Sequence, residues 1–247
     1  MRRPPRGVDV MLMEGSSLGR LDADASFPTE AEIEAELTDV ILRTPGMVLA
    51  ATSAQNIDRM VSIFRAAKRS GHTLVVDLYA AQILHATRGK HIPQTSWPEV
   101  ALFTPWHQRV KVKKAERFDL IERHKAGRLF PEHIAANPAR YVLLFRGNLL
   151  EDLVKAECLN SAHAVWSQWS RYLKDEKTAA LIAALKAHDV GFDVVHTSDH
   201  ASIVDLKRLA GAIAPRALVP IHTFKGERFP DLFENVVVRH DGEWREV

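Results

Sequence analysis

The sequence predicts an α/β protein with a largely parallel sheet, because short apolar runs alternate with helical patterns along the chain. GMVLAATS (46–53) is a run of small and branched residues, typical of a buried strand. NIDRMVSIFRAAKRSG (56–71) follows as an amphipathic helix that ends at a glycine. HTLVV (72–76) then returns as a strand. Strand–helix–strand alternation is the signature of parallel pairing.

The first elements have clear boundary signals. VDVMLM (8–13) predicts a short strand that ends at the turn EGSS. A loop follows over 18–28. Thr29 predicts a helix start, because Glu32 lies three residues further on, which is the capping-box spacing.

The second half repeats the alternation after a less regular stretch over 88–140. YVLLF (141–145) predicts a strand followed by a helix, and EKTAALIAALKAHD (176–189) predicts another helix. The final segments predict strand FDVVH (192–196), helix DLKRLAGAI, strand ALVPIH and a closing hairpin with Asp-Gly at its turn.

Composition limits the function classes. In 247 residues, 46% are hydrophobic and 26% are charged, as in ordinary globular proteins. No apolar run reaches the roughly 18 residues of a membrane span, and no secretory h-region follows the basic start, which favours the cytoplasm. Cys158 is the single cysteine, so an internal disulfide is excluded and metal binding would need His and carboxylates. A net charge of +2 neither requires nor excludes nucleic acid.

Several polar residues fall at predicted strand ends, where a rigid backbone suits a functional site. Glu14, His196, His200 and His222 are of this kind. Asp199 lies next to His200 and could orient an imidazole. Ser198 and Ser202, near the start of the helix from 202, could hold a phosphate oxygen. The alternative is chance, because the chain has 12 histidines and some will fall at strand ends.

HTSDHAS (196–202) followed by PIHTF (220–224) resembles the last two motifs of the β-CASP branch of the metallo-β-lactamase fold. That branch includes RNase J and the mRNA 3′-end cleavage endonuclease. VDVMLMEGSS (8–17) is similar to the family's motif A, in which an acid ends a strand and Ser or Thr follows, and TSAQNIDRMVSIFRAAKRSGHTLVV (52–76) resembles the first strand–helix–strand of the β-CASP domain. The resemblance implies hydrolase-domain fragments over 1–18 and 192–247, flanking a β-CASP domain over 19–191.

The resemblance also implies roles for individual residues. Glu14 matches the motif A acid, which hydrogen-bonds the motif B histidine. His200 matches that histidine, a candidate proton donor to the leaving oxygen, and His222 matches the motif C ligand of a second zinc. His196, Ser198 and Ser202 fall in the loop that contacts substrate phosphate. The family's Gly is Asp199 here, which should weaken polyanion binding unless the carboxylate turns outward.

The family's zinc loop, H-x-H-x-D-H, precedes motif A and has no counterpart in this sequence. The resemblance therefore implies part of a truncated or split zinc-dependent nuclease, which cleaves RNA or DNA through zinc-activated water only when a missing N-terminal half-protein supplies the other ligands. The alternative is an inactive remnant that binds nucleic acid or a partner. A homo-oligomer is possible under either hypothesis, and no membrane partner is expected.

The basic run HQRVKVKKAERFD (107–119) and two tryptophans, Trp166 and Trp169, have two interpretations each. The run could contact a nucleic-acid backbone, although charged runs are more often solvated surface. The tryptophans could stack on bases, although packing in a core is more common.

Overall fold

The structure is a computed structural model that describes residues 3–198 and 200–244. The chain divides into two compact units. The smaller unit contains Met1–Pro28 and Ser198–Val247, and the larger contains Thr29–Thr197. The sequence places the boundaries at 18/19 and 191/192 instead.

The larger unit is built on a seven-stranded sheet in the order β5-β4-β3-β6-β2-β7-β8. Every pairing between these strands is parallel in the part of the chain that the structure describes. The strands are β2 (Val48–Ala51), β3 (Thr73–Val76), β4 (Val100–Phe103), β5 (Arg128–Leu129), β6 (Tyr141–Phe145), β7 (His163–Trp166) and β8 (Gly191–Val194). The predicted α/β class with parallel pairing is confirmed.

Helices connect the strands, and their starts follow the caps in the sequence. Thr29 and Glu32 form the predicted capping box, and Asn56 caps the second helix through Arg59 N–H. The helices of this unit are α1 (Glu30–Arg43), α2 (Ile57–Arg69), α3 (Leu78–Ala86), α4 (Trp106–Lys114), α5 (Asp119–Glu122), α6 (Pro131–Ala136), α7 (Leu150–Lys155) and α8 (Glu176–Ala187). Short 3-10 turns lie at Lys125–Gly127, Pro138–Arg140, Gly147–Leu149 and Ser170–Lys174.

Two apolar cores cover the two faces of this sheet. Alternate residues of a strand point to opposite faces, so Val48 and Ala50 join the core with α1 to α5, whereas Leu49 and Ala51 join the core with α6 to α8. The central strands are buried on both faces, which explains why they appear in the sequence as continuous apolar runs.

The smaller unit has a two-stranded parallel sheet of β1 (Val10–Glu14) and β9 (Ala217–Ile221). Its helix α9 (Ile203–Ile213) is capped by Ser202, and a 3-10 segment covers Gly226–Asp231. Seven buried apolar residues form its core: Met13, Leu18, Ile203, Leu206, Leu218, Phe229 and Phe233. Leu12 is 61% exposed, so the face of this sheet that carries it is partly uncovered by the residues that the structure describes.

The structure differs from the sequence predictions at two points. VALF (100–103) and HAVW (163–166) are strands that the sequence analysis did not identify. The FDVV segment, which the resemblance places in the hydrolase-domain fragment over 192–247 and not with the β-CASP strands, pairs with β7 in the larger sheet. The predicted closing hairpin extends into residues 245–247, which lie outside the described residues. Within 236–244, Val236 bridges to Leu218 and a turn lies at Asp241–Gly242.

None of the helices described at residues 3–198 and 200–244 is both long and apolar enough to cross a membrane.

Candidate functional site

Glu14, the last residue of β1, is the centre of a polar cluster in the smaller unit. Its Oε2 lies 2.8 Å from His200 Nδ1 and accepts a 2.6 Å hydrogen bond from Ser16 Oγ. The backbone N–H of Ala201 also donates to this carboxylate. Three donors from two segments, the β1 turn and the approach to α9, therefore converge on one side chain.

The protonation state of Glu14 follows from these contacts. Partial burial raises the pKa of Glu14, but the hydrogen bond from Ser16, the charge of His200 and the Ala201 N–H together lower it by more. The net pKa is below the ordinary value of 4.5. At neutral pH Glu14 is an anion that can only accept hydrogen bonds.

This anion fixes the tautomer of His200. Because Glu14 only accepts, His200 Nδ1 carries the hydrogen that it donates to the carboxylate, and Nε2 is the nitrogen left for a ligand or substrate. The backbone N–H of His200 also donates to Ser198 Oγ at 3.2 Å, which holds the turn before α9.

His222 lies at the same end of the two-stranded sheet. Glu14 is paired in register with Ile221, so the parallel strands deliver Glu14 and His222 to one edge. The rings of His200 and His222 are 5.8 Å apart between centroids, and Ser16 Oγ is 3.3 Å from His222 Nδ1. His222 has φ +47°, a left-handed conformation that is uncommon outside glycine and is found at functional sites.

The remaining predicted residues of this unit have local roles. Ser202 is buried and is the N-cap of α9: its hydroxyl accepts from Asp205 N–H at 3.2 Å and donates to the Asp205 carboxylate at 2.8 Å. Ser198 is the acceptor in the turn before His200. Asp199 lies outside the described residues.

His196 belongs to the larger unit, where a buried arginine holds it. Arg59 Nη1 is 3.2 Å from His196 Nδ1 and 2.6 Å from Ser167 Oγ. Arginine has no acceptor, so His196 Nδ1 accepts and its hydrogen lies on Nε2. Arg59 is fully buried and also binds both carboxylate oxygens of Glu30, at 3.1 and 3.2 Å from Nε.

The donor set does not fit a zinc centre held by this chain's described residues. The Glu14 carboxylate is already committed to His200, Ser16 and Ala201, which leaves two imidazoles at the sheet edge. Catalytic zinc normally has three protein ligands. Across 3–198 and 200–244, no group of three or more His, Cys, Asp or Glu is arranged to hold a metal ion.

Sequence reasoning missed Ser16 and Arg59 as participants. Ser16 had a signal, because a hydroxyl residue follows the acid in the pattern that identified Glu14. Arg59 had none: it lies within an amphipathic helix, and its partners Glu30 and Ser167 are 29 and 108 residues away in the chain.

The basic run and the tryptophans also have structural positions. Lys111, Lys113 and Lys114 are exposed along α4 and its end. Trp166 is buried in the core under α6 to α8, whereas Trp169 is partly exposed and packs edge-on against Tyr172. Core packing is thus the role of Trp166.

Comparisons with known proteins identify a similar fold. No model of a known protein family matches the chain, and no curated protein matches it. A crystal structure of a protein of unknown function from Enterococcus faecalis V583 is similar, with a TM-score of 0.64 and 18% sequence identity. The similarity covers 95% of this chain and 51% of the other. At this identity the likeness concerns the fold alone, and this chain spans about half the length of its structural neighbour.

Proposed function

We propose that this chain forms part of a phosphodiester hydrolase of the β-CASP type, with its larger unit as the β-CASP domain and its smaller unit as part of the hydrolase domain. The observation that carries the proposal is the 2.8 Å contact between Glu14 and His200, with His222 on the same sheet edge. These are the residues that the motif resemblance groups together, and Glu14 lies 186 positions before His200 and 208 before His222 in the chain. Their convergence supports a shared role.

In this proposal His200 supplies a proton. Glu14 holds Nδ1, so Nε2 is directed away from the carboxylate and carries the transferable proton when the ring is cationic. As a water oxygen bonds to phosphorus and the phosphorus–oxygen ester bond breaks, the leaving oxygen takes that proton. Groups outside the described residues must activate the water, because the donor set here does not hold a metal alone.

The length comparison supports a missing half. This chain spans 51% of its structural neighbour while 95% of its own length is covered. A second polypeptide or a further segment would provide the remaining ligands, with His222 contributing one imidazole. The substrate in this proposal is RNA or DNA, and Zn is the metal of the completed site.

A second candidate function is a non-catalytic module that binds nucleic acid or a partner protein. The absence of a three-ligand group among residues 3–198 and 200–244 favours it, as does the partly uncovered face of the β1–β9 sheet at Leu12. An exposed apolar sheet face is typical of a surface that another chain covers.

The test starts with native mass spectrometry of the protein purified from its own cells. The hydrolase proposal expects a second polypeptide or a longer chain and bound zinc, and nuclease activity on labelled RNA or single-stranded DNA in the same fraction. His200→Ala should then reduce kcat by about 10²–10⁴-fold, the usual contribution of general acid catalysis. A metal-free chain of 27.7 kDa without activity would support the binding module instead.

A matched control separates chemistry from folding. His240→Ala removes an exposed imidazole of the same unit and should leave kcat unchanged. Equal losses in the two variants would contradict a specific role for His200.

A further inference from the structure

A cavity of about 470 Å³ opens in the larger unit, and none of the residues that line it is among those proposed above for hydrolysis. Cavities of roughly 300–1,000 Å³ are typical of small-molecule sites. Its walls come from the start of α3, from α4 and from the turn after β6. The lining residues that carry the argument are Leu78, Tyr79, Lys111, Val112, Arg117 and Arg146.

The topology makes this position a binding crevice. β3 and β6 are neighbours in the sheet, but the chain leaves β3 toward the face covered by α3 and leaves β6 toward the face covered by α7. In open parallel sheets ligands bind outside the carboxyl ends of strands where the connections diverge in this way. Asp77 directly follows β3 and Arg146 directly follows β6.

The base of the crevice is held rigidly. Asp77 caps α3 through a 2.8 Å hydrogen bond from Ala80 N–H, and its other oxygen accepts from Gln108 Nε2 at 2.8 Å. The same carboxylate forms an ion pair with Arg146. Gln108 Oε1 in turn accepts from Leu78 N–H at 3.0 Å. The walls are therefore fixed by side chains that are already committed to one another.

The charge of the lining is positive. Lys111, Arg117 and Arg146 line the cavity, whereas none of the described lining residues is Asp or Glu. Asp77 balances Arg146, and Asp119 balances Arg117 at 2.8 Å. Lys111 has no ion pair with any residue that the structure describes, so one cation faces the cavity without a counter-charge.

The rest of the lining is apolar and aromatic. Arg146 Cζ lies 4.8 Å from the centroid of the Tyr79 ring, and this stack leaves Tyr79 41% exposed. Leu78, Val112 and Leu120 add aliphatic surface. A ring with an arginine fixed on it favours a flat, polarisable partner.

We propose that this cavity binds a small phosphate monoester that carries a flat ring, such as a nucleoside monophosphate. The phosphate monoester carries nearly two negative charges near neutral pH, which suits Lys111 and the adjacent guanidinium groups. The ring contacts Tyr79 and the aliphatic wall. The inference concerns the larger unit alone and does not rest on the proposed hydrolase function.

Isothermal titration calorimetry on the full chain tests the site with four probes: adenosine 5′-monophosphate, phenyl phosphate, adenosine and inorganic phosphate. Both ring phosphates should bind, and each should bind at least about tenfold more tightly than adenosine or inorganic phosphate, the scale of one charge-assisted contact. No heat from either ring phosphate would overturn the proposal. Equal affinity for inorganic phosphate would overturn the role of the ring, and equal affinity for adenosine would overturn the role of the charge.

Variants with a matched control locate the binding. Lys111→Gln should weaken adenosine 5′-monophosphate about tenfold, whereas Lys113→Gln, the same change on the same helix outside the cavity, should not. Tyr79→Leu should weaken binding and Tyr79→Phe should restore it. Equal effects of the two lysine changes, or no effect of Tyr79→Leu, would place the ligand elsewhere and overturn the proposal.

Discussion

At the scale of single residues, Arg59 places a fully buried charge in the larger unit, and this charge needs hydrogen-bonding partners. Its guanidinium makes contacts with Glu30, Ser167 and His196. A buried charge is tolerated when partners surround it, and removing one member of such a set leaves the other charge uncompensated. Arg59 therefore ties α1, α2 and the ends of β7 and β8 into one polar network.

We expect Arg59→Met to lower the free energy of unfolding by about 3–5 kcal/mol, because Glu30 would lose its cation while partly buried. Urea unfolding followed by circular dichroism measures the change. Arg65→Met is the control: Arg65 lies on the same helix, is exposed, and is 3.8 Å from a Glu34 that keeps a closer partner in Arg69. Its effect should stay within about 0.5 kcal/mol, and similar losses in both variants would contradict the role of Arg59.

Glu30 gives the same network a pH dependence. Burial raises the pKa of Glu30. The hydrogen bonds from Arg59 and Ser62 and the charge of Arg59 lower it by a larger amount, so the net pKa is below its ordinary 4.5. A lowered folded-state pKa contributes stability above the unfolded value and loses it as pH falls through the folded value. Wild type should thus exceed Glu30→Gln in stability at neutral pH, and the difference should shrink below pH 4.5.

Urea unfolding of both proteins from about pH 7 to about pH 3 measures this difference. Glu36→Gln, on the exposed side of the same helix, should show no such convergence with wild type. A stability difference between wild type and Glu30→Gln that stays constant across this range would contradict the assignment.

At the scale of elements, the sequence was informative where local signals and burial coincide. The capping box at Thr29 predicted the start of α1. The continuous apolar run YVLLF, which is buried on both faces, predicted β6. VALF and HAVW were missed, because each is four residues long and adjoins prolines or tryptophans that suggest irregular structure. FDVV was placed with the smaller unit because its pattern of apolar and polar residues fits a strand in either sheet. Its pairing with β7, which the sequence does not reveal, assigns it to the larger sheet.

Two glycine-to-alanine substitutions should have opposite effects on stability, depending on the space around each glycine. In α9, a Cβ at Gly211 would meet nothing within 4 Å, so Gly211→Ala should stabilise the protein by about 0.5–1 kcal/mol through helix propensity. Before β2, a Cβ at Gly46 would overlap Asn160 and lie 2.5 Å from the carbonyl carbon of Ser161. Gly46→Ala should therefore destabilise by about 1–3 kcal/mol. Thermal unfolding of both variants measures this contrast, and shifts of the same sign would contradict it.

The site also shows what sequence can supply. The motif resemblance implied a hydrogen bond between Glu14 and His200, and the two side chains lie 2.8 Å apart. The approach of Glu14 to His222 depends on the parallel register of β1 with β9, which no local pattern encodes. His196 was grouped with them because it is only four positions from His200. The boundary between the units falls at Thr197 and Ser198, so these neighbours in sequence belong to different units.

At the scale of the whole molecule, the two units have very different cores. The larger unit has an apolar cluster on each face of a seven-stranded sheet. The described part of the smaller unit has one core cluster of seven buried apolar residues and a two-stranded sheet with Leu12 exposed. Because burial of apolar area supplies most of the stability of a fold, and small domains bury a smaller share of their surface, the smaller unit should open first.

Limited proteolysis with mass spectrometry measures this order. We expect cleavage to begin within 3–28 and 200–244 and to leave a resistant fragment close to Thr29–Thr197. Hydrogen exchange should be fast in β1 and β9 and slow in β2 and β6, whose residues are buried on both faces of the larger sheet. Addition of a polypeptide that covers the Leu12 face should slow both cleavage and exchange in the smaller unit. Simultaneous loss of both units would show that they unfold as one cooperative body.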